Sequence, residues 1–269
     1  FKRGMAYKRK GDIDKAIGEF EQAVAKNDKH AQAWASLGTL HKRRKNYAKA
    51  VEAYEKATAL MPKESALWSN LGMSYYRAQR VDDALVALEK ACRLDPKNAE
   101  IHANLGAIRR QKGQLGKAMR NLRWAVKLAP KEAPYHNNLG LAYRVSGSRA
   151  QDESKRAKYF GSAVVHFKKA LELDPNEPRY YFNIAVVYRR WEKVDDAIKY
   201  YELALQKQPD MHGAWYDLGH MHRLNHDNDK AIEAFTKYLE LTGGKDPKAD
   251  EEVRDTIEAL GGMPPKGKK

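Results

Sequence analysis

The chain has 269 residues, of which 42% are apolar and 32% are charged, a composition typical of a folded protein rather than a disordered one. Its formal net charge of +15 favours acidic peptides, nucleic acid or anionic membrane surfaces without selecting among them. No run approaches the roughly 18 to 20 consecutive apolar residues that a membrane span needs, and a single cysteine, Cys92, excludes an intrachain disulfide.

A helical motif recurs along the chain with a period of 34 residues. In its first half an aromatic residue or His, a Leu and a Gly stand at the spacing of one helix face. The first full copies are Trp34, Leu37, Gly38 and His41, then Trp68, Leu71, Gly72 and Tyr75, then His102, Leu105, Gly106 and Arg109. A second apolar set follows each copy and ends near a Pro, as in Ala50, Tyr54, Ala57 and Pro62. Because Pro cannot donate the helical hydrogen bond, the predicted unit is helix, turn, helix and stop.

Small residues fill two positions of every repeat, where they allow two helices to approach closely. Position 8 holds Gly4, Gly38, Gly72, Gly106, Gly140, Ala185 and Gly219. Position 20 holds Ala16, Ala50, Ala84, Ala118, Ala163, Ala197 and Ala231. The space between the helices is expected to be filled by Phe20, Tyr54, Leu88, Leu122, Phe167, Tyr201 and Phe235.

This spacing, W-x2-L-G-x2-Y followed by Ala, an aromatic residue or Leu, Ala and Pro, resembles the tetratricopeptide signature. The resemblance implies an all-α fold, a right-handed superhelical solenoid of about seven helix-turn-helix units with a C-terminal capping helix. The predicted repeats are 1–30 (truncated), 31–64, 65–98, 99–132, 133–177, 178–211 and 212–245, followed by a capping helix at 246–262 and a flexible basic tail at 263–269.

The first repeat begins at its fifth position, so the first turn of its first helix is missing before Phe1. We expect that a signal, an anchor or another domain preceded it. The compartment therefore stays open between the cytoplasm and, if a signal or a lipid anchor preceded Phe1, the periplasm or cell envelope.

The fifth repeat carries an insertion of 11 residues between Tyr143 and Ala163. Eleven residues are close to three helical turns, so we expect a lengthened second helix. Ser148 and Gln151, with Asp152 next, have the form of a capping box and mark its start. One alternative is a loop insertion without a function of its own. The other is a segment that protrudes and contacts a partner.

At the C-terminal end, Val253, Ile257 and Leu260 stand at helical spacing among acidic residues and predict the capping helix. Gly261 and Gly262 are expected to close it as left-handed caps.

A face of amides and cations is predicted opposite the packed face of the first helices, and the resemblance implies that it lines a concave groove for extended partners. Position 6 reads Ser36, Asn70, Asn104, Asn138, Asn183 and Asp217. Such amides can hydrogen-bond a peptide backbone, and the row is similar to the asparagine ladder of O-linked N-acetylglucosamine transferases. Asparagines that merely face water are the alternative.

Position 12 and position 13 add a basic stripe beside these amides. Position 12 reads Lys8, Lys42, Tyr76, Arg110, Arg144, Arg189 and Arg223, and position 13 includes Arg43, Arg77 and Arg190. Arginine presents a planar donor fork to carboxylates, so the stripe predicts an acidic peptide, with a solvated basic face as the alternative. The lysines of the carboxylate clamp of cochaperones are missing at position 5.

No catalytic residue, cofactor or metal site is predicted. His222 and His226 have the i, i+4 spacing of zinc ligands, but His222 occupies a packed position and no Glu completes the arrangement.

The pattern as a whole predicts a non-enzymatic scaffold that binds an acidic partner segment in its groove during assembly of a multiprotein complex. The substrate-recruiting arm of a larger enzyme, such as a glycosyltransferase, is the alternative. RNA binding ranks last because most aromatic residues occupy core positions rather than stacking positions. The expected partners are proteins or peptides with acidic segments, and self-association stays open.

Overall fold

The computed structural model describes residues 1–243 and 245–265, and these contain fifteen α-helices. The helices are α1 (Lys2–Lys10), α2 (Ile13–Lys26), α3 (Ala31–Arg43), α4 (Tyr47–Leu60), α5 (Ser65–Arg77), α6 (Val81–Leu94), α7 (Ala99–Gln111), α8 (Leu115–Leu128), α9 (Ala133–Arg149), α10 (Glu153–Leu173), α11 (Pro178–Arg190), α12 (Val194–Lys207), α13 (His212–Leu224), α14 (Asn228–Thr242) and α15 (Pro247–Ala259). The described residues form no strand, so the all-α prediction is confirmed. None of these helices is long and apolar enough to cross a membrane.

The chain divides into two compact units, residues 1–129 and residues 130–269. In unit 1, consecutive helices from α1 to α8 pack against each other, and the first helices α3, α5 and α7 also touch their neighbours in the row. In unit 2, consecutive helices from α9 to α15 pack in the same way, and α9 also touches α11. Each predicted repeat contains one pair of helices, and the predicted capping helix corresponds to α15.

A glycine pressed against a large side chain sets the distance between the two helices of a pair. A Cβ atom added to Gly38 would lie 2.8 Å from the ring of Tyr54, and one added to Gly140 would lie 2.7 Å from the ring of Phe167. Real Cβ atoms do not approach other atoms so closely, because van der Waals repulsion forbids it. The predicted row of small residues at position 8 is therefore required for packing.

In the six repeats from the second to the seventh, a hydrogen bond from position 4 of the first helix holds the turn that connects it to the preceding repeat. The side chain donates to the backbone oxygen six residues earlier, over 2.7 to 3.3 Å. The donors are Trp34, Trp68, His102, His136, Tyr181 and Trp215. Each of these rings carries a polar hydrogen at its far end, and in the two histidines the bond requires a proton on Nε2.

The insertion in the fifth repeat lengthens both of its helices. The first helix, α9, has 17 residues where α7 has 13, and the second, α10, has 21 where α8 has 14. Gly147 faces Phe160 as Gly140 faces Phe167, with a Cβ-to-ring distance of 2.6 Å. The glycine-on-ring contact thus repeats seven residues later in α9 and seven residues earlier in α10, so the added turns pack as the regular ones do.

The predicted capping box at the start of this second helix is wrong. Ser148 lies inside α9, because the packing of Gly147 on Phe160 keeps that helix intact through Arg149. The cap is Asp152, whose Oδ1 accepts a hydrogen bond of 2.7 Å from the backbone N–H of Lys155.

The C-terminal helix α15 buries Val253 and Ile257 against α14, and Gly261 follows it with φ +87°. Gly262 does not have positive φ, so its predicted role as a left-handed cap is wrong. Its backbone N–H donates to the oxygen of Ile257 over 2.9 Å, and a Cβ atom would meet Ile232 and Ile257. Of the predicted basic tail, residues 266–269 lie outside the described residues.

Candidate partner-binding site

The first-helix face of unit 1 brings the predicted amide and basic rows together. Lys42 Nζ, at position 12 of one repeat, donates to Asn70 Oδ1, at position 6 of the next, over 2.6 Å. Burial lowers the pKa of Lys42, which is half-buried between the helices. At this point a cation of the basic row lies directly beside an amide of the position 6 row.

Further along this face, Tyr76 and Arg110 continue the basic row. The Tyr76 hydroxyl donates to Gln111 Oε1 over 2.5 Å. Burial lowers the pKa of Arg110, and its Nε atom is buried without a hydrogen-bond partner. The Asn104 amide makes no side-chain hydrogen bond within the described part of the chain. Unit 1 thus offers an amide and a guanidinium whose donors are not fully used.

Two arginines of unit 1 stand on the exposed edge of the same face. Arg43 and Arg77 are solvent-exposed, and neither forms an ion pair with any residue in 1–243 or 245–265. They are therefore free to meet an anion from outside the chain.

In unit 2, a buried acid organises the same face. Asp217, at position 6 of the last repeat, accepts from Arg189 over 2.9 Å at one carboxylate oxygen and from the Tyr201 hydroxyl over 2.9 Å at the other. Burial, and then the charge of Asp217, raise the pKa of Tyr201, so its phenol stays protonated and donates. Arg189 is held in place by this carboxylate.

A pocket of about 400 Å³ opens beside Arg189. Three first helices line it: α9 with Arg144, Val145, Ser148 and Arg149, α11 with Phe182, Val186, Arg189 and Arg190, and α13 with Asp217. We call it the arginine pocket. Ser148 and Arg149 belong to the turn that the insertion adds to α9, so the insertion supplies part of the wall.

The remaining predicted residues of unit 2 lie outside this pocket. Asn183 donates from Nδ2 to Asn137 Oδ1 over 2.9 Å, so its amide is partly engaged within the chain. Asn138 is half-buried on α9. Arg223 is exposed and faces Glu252 and Asp255 of α15 across a smaller cavity of about 280 Å³. The asparagine row therefore does not form an evenly spaced ladder in unit 2.

The residues in these contacts that sequence reasoning missed include Gln111, Arg149, Phe182 and Asp217. Asp217 belongs to the position 6 row, and its carboxylate, the one acidic group in that row, is the signal that could have identified it. Arg149 lies in the insertion, where the residues have no equivalent position in the 34-residue repeat, so the repeat pattern could not assign it to a helix face.

The histidines of α13 and its following turn do not form a ligand set. Among residues 1–243 and 245–265, no three His, Cys, Asp or Glu side chains are arranged to hold a metal ion. His222 is buried at a packed position, whereas His226 is exposed in the turn, with φ +58°.

Solved structures share this fold along most of the chain. The C-terminal part of a TPR repeat-containing protein from Cytophaga hutchinsonii has a TM-score of 0.72 at 18% identity, covering 96% of this chain and 99% of that one. PilF of Pseudomonas aeruginosa has a TM-score of 0.65 at 21% identity, covering 85% and 98%. YrrB, described as a TPR protein with an unusual peptide-binding site, has a TM-score of 0.59 at 22% identity, covering 72% and 95%. These likenesses show the fold.

Family comparisons identify the repeats. Two models described as tetratricopeptide repeat match residues 166–199 and 189–249, and none of the curated proteins is a significant match in sequence. The repeat fold makes the chain a protein-interaction scaffold. A model described as Cilia and flagella-associated protein 70 C-terminal domain matches residues 2–156, more than half of the sequence, and the chain therefore belongs to that family and is built of tetratricopeptide repeats.

Proposed function

We propose that this scaffold binds an extended, acidic segment of a partner protein along its first-helix faces, as a step in assembling a multiprotein complex. The observation that carries the proposal is the contact between Lys42 and Asn70. It brings one cation of the basic row beside one amide of the position 6 row, which supports a surface where amides bond a peptide backbone and cations bond its carboxylates.

The distribution of charge on this face supports an acidic partner. Arg43 and Arg77 are exposed without an acid of the chain's own to pair with, as far as the described residues extend. A peptide carrying Asp or Glu would supply those partners and would be steered toward the face by its positive potential.

Likeness to YrrB, whose description includes a peptide-binding site, also supports a peptide as the ligand. Binding to the substrate of a larger enzyme, or to RNA, has no specific contact in its favour, and RNA becomes one arm of the test.

The test measures fluorescence anisotropy of degenerate peptide pools rich in Asp and Glu, rich in Lys, or neutral, and of a short oligouridine. We expect the acidic pool to bind most tightly, and R43E/R77E to weaken that binding about tenfold or more. The matched control K56E/K117E makes the same change in net charge on exposed sites of α4 and α8. An equal loss of affinity in both variants would show that the acidic pool is held only by non-specific charge attraction. Tighter binding of oligouridine than of the acidic pool would indicate that the ligand is RNA rather than a peptide.

A further inference from the structure

The arginine pocket of unit 2 holds more positive charge than the chain neutralises. Four arginines and one carboxylate, Asp217, line it. Asp217 is already bound by Arg189 and Tyr201. Within the described part of the chain, no carboxylate pairs with Arg149 or Arg190. The pocket is therefore arranged for an anion from outside the chain.

The shape of the pocket restricts the kind of anion. Phe182, Val145 and Val186 give it an apolar wall beside the guanidinium groups. The Phe182 ring packs edge-on against Tyr201, with ring centres 5.7 Å apart, so the wall is fixed. A volume of about 400 Å³ suits one side chain with an apolar stem and a charged head.

We propose that the arginine pocket binds a phosphorylated Ser, Thr or Tyr side chain of a partner protein segment. The inference rests on the proposed function, since it takes the ligand to be part of a protein. A phosphoryl group carries about −1.5 to −2 charges and three acceptor oxygens, and several guanidinium forks can bond it at once. A single carboxylate offers one charge and two oxygens, so it cannot neutralise both Arg149 and Arg190.

Two features of the pocket supply donors for an anion. Asp217 holds the Arg189 guanidinium through Nη1, and the Nε–H of Arg189 is buried without an acceptor. The added turn of α9 contributes Ser148 and Arg149 to the lining of the same pocket. Phosphate recognition in this pocket thus uses residues that a regular repeat of 34 residues lacks.

The test uses the full chain and four kinds of probe, read by fluorescence anisotropy near physiological salt. These are degenerate peptide pools centred on phosphorylated Ser, Thr or Tyr, the same pools without phosphate, pools centred on Glu, and a short 5′-phosphorylated oligouridine. We expect at least one phosphorylated pool to bind about tenfold or more tightly than its unphosphorylated counterpart.

The variant R149E/R190E should abolish this preference, and the neutral R149Q/R190Q should reduce it. The control K158E/K199E, with the same charge change on exposed sites of α10 and α12, should keep it. Circular dichroism melting curves of each variant establish that it is folded. If R149E/R190E does not fold, R149Q/R190Q tests whether the preference for phosphate depends on these two arginines.

Equal affinity for phosphorylated and unphosphorylated pools would overturn the inference, as would a preference that R149Q/R190Q leaves unchanged. Tight binding of the oligouridine that R149E/R190E abolishes would assign the pocket to nucleic-acid phosphate and overturn it too. If the acidic pool binds and R43E/R77E weakens it while no phosphate preference is seen, the proposed function stands and this inference fails. If only phosphorylated pools bind, this inference stands and the proposed binding of segments rich in Asp and Glu fails.

Discussion

The helix pairs α7/α8 and α9/α10 are built on the same contact but differ in length. In the shorter pair, Gly106 faces Leu122, and in the longer pair Gly140 faces Phe167. The longer pair repeats the contact once more, between Gly147 and Phe160. An insertion between two helices is therefore absorbed as added helix when it brings its own small residue and its own large one at matching heights.

The same difference has a consequence for function. A regular first helix ends at position 13 of its repeat, which is Gln111 in α7 and Val145 in α9. The four residues that α9 adds include Ser148 and Arg149, which line the arginine pocket. The added turn thus supplies both a packing contact and two polar groups that the regular pair does not have.

The largest expected effect comes from crowding the glycine contacts. Gly140→Val should destabilise the chain by about 3 kcal/mol, because its methyl groups must displace the Phe167 ring. Gly147→Val acts on the added turn alone and should cost about 1 to 2 kcal/mol. Urea unfolding followed by circular dichroism measures both changes.

Gly116→Ala on α8 is the matched control, because no atom lies within 4 Å of the added Cβ. It should stabilise the chain by about 0.5 to 1 kcal/mol, since Ala is the better helix former. A loss of stability in Gly116→Ala as large as that in Gly140→Val would contradict the role given to the glycine contact.

The buried acid of the arginine pocket gives the next largest effect. Asp217→Leu leaves the Tyr201 hydroxyl and the Arg189 guanidinium without their acceptor, and should cost about 2 kcal/mol of unfolding free energy. Asn104→Leu changes the same repeat position in α7, where the amide makes no bond within the described chain, and should cost less than about 0.5 kcal/mol. Comparable losses in the two variants, measured by urea unfolding, would show that the Asp217 contacts do not stabilise unit 2.

The turns of the two pairs should respond differently when a glutamine side chain is introduced. The turn after α7 contains Gly113 with φ +74°, whereas the turn after α9 passes through Ala150 with φ −73°. Gly113→Gln should cost about 1 kcal/mol, because a side chain is strained in the left-handed region. Ala150→Gln should change stability by less than about 0.5 kcal/mol. If thermal unfolding gave equal shifts, the turns would not differ in strain.

The smallest expected effect is a dependence of stability on pH. Burial lowers the pKa of His220 and His222 in α13 below the ordinary value of 6.5. The unfolded chain therefore binds more protons as the pH falls through about 6.5, and stability decreases from about pH 7.5 to 5.5. His222→Tyr, the residue found at this position in four other repeats, should reduce the slope of the urea midpoint against pH. An unchanged slope would remove His222 as a cause.

The fold follows from the sequence because its contacts recur at a fixed period. The small residues at positions 8 and 20 predict where the two helices of a repeat approach closely. The large side chains between them predict the core. The lengthening of α9 was not predicted, because Ser146, Gly147 and Ser148 have the local character of a loop and only the contact of Gly147 with Phe160 makes them helical. Tertiary packing overrides helix propensity there.

The candidate site was predicted only in part for the same reason. The period places Arg144, Arg189 and Arg190 on one face, and the pocket contains all three. It does not show that Asp217 is buried against Tyr201, nor that Arg149 of the insertion lines the same pocket, since both depend on how separate helices pack together.

The most direct test of the added turn replaces residues 145–162 by the seven-residue sequence of positions 77–83, which restores a regular repeat in the full chain. We expect this variant to unfold cooperatively in urea, to lose helix in proportion to its shortening, and to bind phosphorylated and unphosphorylated peptide pools alike. A folded variant that still prefers the phosphorylated pools would contradict the account, because the pocket would then not need the turn that the insertion supplies.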